Sequence, residues 1–211
     1  MNRRELLGLD GGACRVTPVP NVVVTTHEGR RALFHDDLVR GKVVLVQFAS
    51  LADDAGYPVL ENVARVQTLL GDRLGRDVHI CTITTDPHGD TPRELSDAMQ
   101  RLGAKPGWWF LTGEAAALAA LKAHFFAHGH VHDGEDCSRG VMRYGNPAAG
   151  LWGSVPAKAE PDWIAERLTW LAARDRPSGA PRRRGPAALA TLLVALLPLT
   201  ARADTHSGHP Y

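Results

Sequence analysis

Two short, almost unbroken apolar runs with a helix-patterned stretch between them do most to restrict how this chain folds. Val43–Phe48 reads Val-Val-Leu-Val-Gln-Phe, and Val78–Thr84 reads Val-His-Ile-Cys-Thr-Ile-Thr. Such runs suit strands covered on both faces, as in a parallel sheet. Between them Val59, Val63, Val66 and Leu70 fall on one helical face. The alternation then continues. Asp86-Pro87 ends the second strand, Thr91 caps a helix whose first residue is Pro92, and that helix runs to Leu102. Trp108–Leu111 reads as a third strand, Glu114–Phe126 as a third long helix and Val141–Tyr144 as a further strand. Asp162–Ala172 is a closing helix carrying Trp163, Leu168 and Trp170. Near the start, Val22–Val24 leads into a turn at Glu28-Gly29-Arg30. Strands alternating with helices predict an α/β domain with at least part of its sheet parallel. The five tryptophans are expected mostly in core positions, and Cys81 as a buried packing residue.

A chain of 211 residues accommodates one sizeable domain with tails. Its 24 basic and 23 acidic residues leave a formal net charge of +1, so no global field points to nucleic acid or to acidic substrates. Three cysteines, Cys14, Cys81 and Cys137, cannot all pair with one another, which excludes a disulfide framework, and they form neither CxxC nor CxxxC. No Gly-rich phosphate loop follows a strand, and no Ser/His/acid set has a recognisable nucleophile turn. No residue therefore takes a catalytic or cofactor-binding role. Asp86 and Asp90 read as parts of a strand-to-helix turn rather than as paired catalytic carboxylates.

Residues 1–19 are expected to be a flexible segment. Arg3-Arg4 followed by Leu6-Leu7 is similar to the start of a twin-arginine export signal, yet Gly8–Arg15 lacks the apolar stretch of roughly 7–15 residues such a signal needs. The domain spans 20–173. Residues 174–186 form a Pro/Gly/Arg linker containing Arg174, Arg176, Arg182, Arg183 and Arg184. The segment 187–200 follows, apolar without a break from Ala187 to Leu199 and shorter than the roughly 20 residues needed to cross a bilayer upright. With its basic flank and Ala201-Arg202-Ala203 it has the form of a signal peptide at the wrong end of the chain. A tail anchor or partly inserted helix, the start of a downstream exported protein fused at a gene boundary, and a soluble packed helix all fit this segment. The tail 201–211 adds His206 and His209 beside Asp204, a weak metal contact at most.

Several blocks, in this order, resemble the SCO/SenC family. They are Pro20–Gly29 with Asp36–Val44, then Ala64-Arg65-Val66-Gln67, Asp86-Pro87-His88-Gly89-Asp90-Thr91-Pro92, Pro106–Gly113 and Arg143-Tyr144-Gly145-Asn146. The resemblance covers roughly residues 20–172 and implies a thioredoxin-like fold, a central mixed sheet flanked by helices. It further implies a membrane-tethered protein facing the periplasm or its equivalent. Such proteins bind copper through a CxxxC pair and one distant histidine, and deliver it to cytochrome oxidase or act as thiol-disulfide reductants for its copper site. The implied partner is a respiratory oxidase subunit or another copper protein. Thiolates favour Cu(I), an added imidazole also accommodates Cu(II), and paired thiols exchange with disulfides. Where the family carries the two cysteines and the histidine, this chain has Asp53, Tyr57 and Ser138. Neither dithiol exchange nor an S2N copper site is expected from those side chains.

The most metal-like stretch lies elsewhere. His124, His128, His130 and His132 are followed by Asp133, Glu135, Asp136 and Cys137. His124 and His128 share a face if the helix continues, and His130 and His132 share a side of an extended segment. Neutral imidazole suits Cu, Zn and Ni, and a nearby thiolate tightens any of them. The candidate metal ligands are thus His128, His130, His132 and Cys137; the resemblance implies that this loop lies near the old site, within reach of Asp53 or Asp54. The alternative is a solvated His-rich loop with no fixed geometry.

The expected function is a degenerate SCO/SenC-type accessory protein, not an enzyme, linked to copper delivery or to assembly of a respiratory copper enzyme. Two other readings stand beside it. One is a single-cysteine redox enzyme of the thioredoxin superfamily using Cys137; the other is a non-catalytic, membrane-associated interaction domain attached through 187–199. The resemblance places the domain on the periplasmic side. A tail anchor would instead hold it in the cytoplasm, because the arginines before the apolar segment stay inside.

Overall fold

The two apolar runs lie side by side as parallel strands at the centre of a seven-stranded mixed sheet. The computed structural model describes residues 18–54, 58–126, 138 and 140–175. In chain order the elements are β1 (Val23–Thr26), β2 (Arg31–Leu33), a π-helical turn (Phe34–Val39), β3 (Val43–Ala49), α1 (Leu51–Asp54) and α2 (Leu60–Leu70). There follow β4 (Val78–Thr84), α3 (Pro92–Leu102), β5 (Trp108–Thr112), α4 (Ala115–Phe126), β6 (Val141–Asn146), β7 (Leu151–Pro156) and α5 (Pro161–Asp175). The strand order is β2-β1-β5-β4-β3-β6-β7. Strands β3, β4 and β5 are parallel; β1, β2, β6 and β7 extend the sheet on either side by antiparallel pairing.

Alternation along β3 explains its unbroken hydrophobicity, because each side of the strand meets its own core. Val43 and Leu45 face one cluster, filled by Val63 and Val66 of α2, Leu95 of α3 and Leu168 of α5. Val44, Val46 and Phe48 face another, filled by Leu118, Leu121 and Phe125 of α4 and by Leu38 of the π-helical turn. Gln47 is the polar exception. Its Nε2 donates to Thr82 Oγ1 at 2.7 Å, and the same oxygen accepts from Trp108 Nε1 at 2.9 Å. Helix α3 begins with the expected cap, now a full capping box. The Thr91 side chain accepts from the Glu94 backbone N–H, and the Glu94 carboxylate accepts from that of Thr91.

Strands β2 and β7 were not anticipated, and both are edge strands. β7 buries only Val155 fully, so its sequence carries no strong alternation. It is held by interlocking with β6: the Trp152 ring lies over Gly145, and the Tyr144 ring over Gly153. A Cβ at either glycine would overlap the facing ring. The core placement expected of most tryptophans holds for three of the five. Trp108 is buried and Trp109 and Trp152 are half-buried, but Trp163 and Trp170 are exposed on α5. That helix packs inward through Ile164, Ala165, Leu168, Leu171 and Ala172 instead.

Among the described residues no helix is long and apolar enough to cross a membrane. The features expected in residues 1–17 and 176–211, including the export-signal resemblance, most of the arginine linker, the apolar segment and the His tail, lie outside the described residues.

Candidate functional site

The carboxy-terminal ends of β3 and β4 form one pole of the domain, and the topology brings two of the three substituted positions to it. Asp53 sits on α1, directly after β3. Strand β6 runs antiparallel to β3, with Val46 opposite Arg143, so β6 starts at this same pole. Ser138, three residues before β6, therefore lies there too, and it is buried. Tyr57 is outside the described residues.

A hydrogen-bonded frame fixes this end of the sheet. Ser50 Oγ accepts from the Asp53 N–H at 3.3 Å. Asp54 Oδ1 accepts from the Val59 and Leu60 N–H groups at 2.7 and 3.0 Å, satisfying donors at the start of α2. From the neighbouring strand, Thr84 Oγ1 donates to Asp90 Oδ2 at 2.5 Å and accepts from the Asp86 N–H at 2.9 Å. Asp90 Oδ2 also accepts from the Leu51 N–H at 3.2 Å, tying the β4–α3 turn to the first residue of α1. Burial raises the Asp90 carboxyl above the usual range, against the opposing pull of these two hydrogen bonds. The turn reading of Asp86 and Asp90 holds, but sequence reasoning missed the tether. A contact across 39 residues leaves no local signature.

Asp90→Ala should therefore loosen α1 as well as the turn. We expect a loss of about 2–3 kcal/mol in urea unfolding, from two lost hydrogen bonds and an orphaned Leu51 N–H. Asp90→Asn, which keeps an acceptor, should lose less than half of that.

Beside α1 a groove of about 350 Å³ is lined by Leu51, Ala52, Asp86, Asp90, Glu94 and Arg101, among others. On the other side of β4 a smaller pocket of about 220 Å³ includes Phe48, Pro87, Leu118 and Lys122. The functional groups in and beside these hollows are carboxylates, hydroxyls and ammonium or guanidinium groups. Oxygen donors of this type suit hard cations, not Cu(I). Among the described residues no three His, Cys, Asp or Glu side chains gather to hold a metal. The described part of the pole thus does not fit a thiolate–imidazole copper site. His128, His130, His132 and Cys137 lie outside the described residues, as does any continuation of α4 beyond Phe126. Cys81 is buried as expected, and burial pushes its thiol up to about 12, which makes it inert at neutral pH.

Residues 23–148, more than half of the chain, match the SCO1/SenC family. The chain belongs to the SCO1/SenC family. Its fold is similar to copper-bound ScoI from Bradyrhizobium japonicum, at 19% identity and a TM-score of 0.57, over 74% of this chain and 99% of that one. Copper-bound yeast Sco1 is similar at 14% identity and a TM-score of 0.54, over 79% and 99%. BsSco, a member of the Sco family of cytochrome c oxidase assembly proteins with an identified disulfide switch, is similar at 17% identity and 0.57, over 74% and 93%. No curated protein matches the chain. This SCO1/SenC chain accordingly has the thioredoxin-like α/β architecture, a mixed sheet covered by helices on both faces.

The SCO1/SenC blocks acquire physical roles in this frame. Thr91 caps α3, Asp90 tethers α1, Gly145 makes room for Trp152, and Asn146 Oδ1 accepts from the Ala148 and Ala149 N–H groups at 3.0 and 3.3 Å. They build the scaffold around the pole rather than its chemistry.

Proposed function

We propose that this SCO1/SenC protein is an accessory factor in copper delivery to, or assembly of, a respiratory copper enzyme such as cytochrome c oxidase. In this reading it works without the family's Cys/Cys/His copper site. One observation carries the proposal: hydrogen bonds hold α1 and the start of α2 in place, while Asp53, Tyr57 and Ser138 stand where the ligands are expected. Asp53 and Ser138 share the pole at which that frame converges. The protein then acts by binding partners, on the periplasmic face of a membrane by family resemblance. Any metal handling falls to His128, His130, His132 and Cys137. Cys137, without a second thiol beside it in sequence, ligates or is capped but does not cycle as a dithiol does.

In cells lacking the chain, copper-oxidase activity should fall and should return with wild type. Unchanged oxidase activity in the deletion strain would remove the assembly reading, and rescue by wild type and by His128→Ala/His130→Ala/His132→Ala but not by Cys137→Ala would favour the single-cysteine redox enzyme. Copper is tested separately, by titrating Cu(I) and Cu(II) against competing chelators. Tighter binding by wild type than by His128→Ala/His130→Ala/His132→Ala supports a relocated site; equal binding by both removes it.

A further inference from the structure

We propose that the outer face of α5 docks on an anionic lipid bilayer, seating Trp163 and Trp170 at the headgroup boundary. The inference is independent of whether the protein handles copper. Helix α5 fills the core with one arc, through Ile164, Leu168 and Leu171. Trp163 and Trp170 are seven residues apart, so they share the opposite side, and they remain 39% and 54% exposed. The Arg167 guanidinium lies over the Trp163 ring at 5.3 Å, so a cation and two indoles form one strip. Asp162 and Glu166 bound this strip on one flank only, by their positions around the helix.

Tryptophan beside arginine is the composition of a membrane interface: the indole rests at headgroup depth while the guanidinium meets phosphate. The sequence beyond α5 favours lipid over a protein partner. It continues through Arg176 and Arg182–Arg184 into Ala187–Leu199, apolar without a break. Clustered arginines are drawn to anionic lipid. That apolar run is too short to cross a bilayer upright, and stable peripheral anchoring generally takes two signals. The α5 strip supplies the second one, on the rigid domain.

The test is sedimentation of the full-length protein with phosphatidylcholine vesicles containing about one-third phosphatidylglycerol, and with phosphatidylcholine alone. Wild type should partition onto the anionic vesicles at least about tenfold more strongly than Trp163→Ala/Trp170→Ala, and less strongly as salt rises. Both side chains are exposed, so circular dichroism should show the double variant folded. Equal partitioning of wild type and variant assigns all binding to the tail and overturns the docking face. Failure of wild type to bind anionic vesicles overturns it as well. So does light scattering that shows a dimer dissociated by the two substitutions, with no vesicle binding; the strip is then a protein interface.

Discussion

Combining Asp53→Cys, Tyr57→Cys and Ser138→His should convert this domain into one that binds a single Cu(I) at least about a thousandfold more tightly than wild type. The size of the effect follows from ligand chemistry. A carboxylate, a phenol and an aliphatic hydroxyl offer Cu(I) almost nothing, whereas two thiolates and an imidazole are soft donors matched to it. The scaffold supports the exchange. Ser50 still caps α1 at position 53, Asp54 still anchors the start of α2, and Asp90 still holds the Leu51 N–H, so α1 and the start of α2 keep their places. Asp53→Cys alone should add little, and the two cysteines together an intermediate gain that disappears when they are oxidised to a disulfide. Ser138 is buried, so circular dichroism and urea unfolding must first show that the larger imidazole is accommodated. Competition with a chromogenic Cu(I) chelator then reads the affinity. A folded triple variant that binds no better than wild type would mean that these three positions do not converge. The functional proposal would then lose its central observation.

How far the sequence anticipates this molecule depends on where burial is two-sided. β3 and β4 are legible because both faces of each strand meet a core, which forces an apolar run. Helix α3 is legible because Thr91, Pro92 and Glu94 write its start locally. β2 and β7 are not, because an edge strand with one half-wet face needs little hydrophobic pattern. Helix α5 is located correctly, but the side its tryptophans take is not legible. Large aromatic residues are usually core residues, and only packing shows that Ile164 and Leu168 take the inner arc while Trp163 and Trp170 point out. At the pole, the positions of Asp53, Tyr57 and Ser138 come from counting along family blocks, and the β3–β6 register independently carries Asp53 and Ser138 to one end of the sheet. The Asp54 cap and the Asp90 tether escape sequence reading because both join residues whose proximity is created by the fold.

His79 should make the protein markedly acid-sensitive, at a place far from the candidate site. It lies on β4, two residues before Cys81, and is only 7% exposed. Its ring stacks on Trp109 with centroids 4.9 Å apart and planes 13° from parallel. Nδ1 is buried without a hydrogen-bond partner, and Lys42, with Nζ 5.1 Å from the Trp109 ring centroid, adds a nearby positive charge. Burial first, then the Lys42 charge, lower the imidazole from 6.5 to about 4, against an opposing pull from the Gly75 backbone. The unfolded chain therefore takes up a proton near pH 6.5 that the folded chain refuses until about pH 4. Stability is full above that window and is lost as pH falls through it, by about 3 kcal/mol for this one group. His27, also lowered mainly by burial, acts in the same direction, so wild type alone does not isolate the effect. His79→Phe does: it keeps an aromatic ring against Trp109 and removes the titration. Whatever the variant loses by exchanging imidazole for phenyl in the neutral state is lost at every pH and cancels in the comparison. Urea unfolding at pH 7.5 and pH 4.5 should show wild type losing about 2–3 kcal/mol more than the variant between the two conditions. Parallel losses in both proteins would show that His79 finds a proton acceptor or water in the folded state, and that the second core is wetter around Trp109 than its packing indicates.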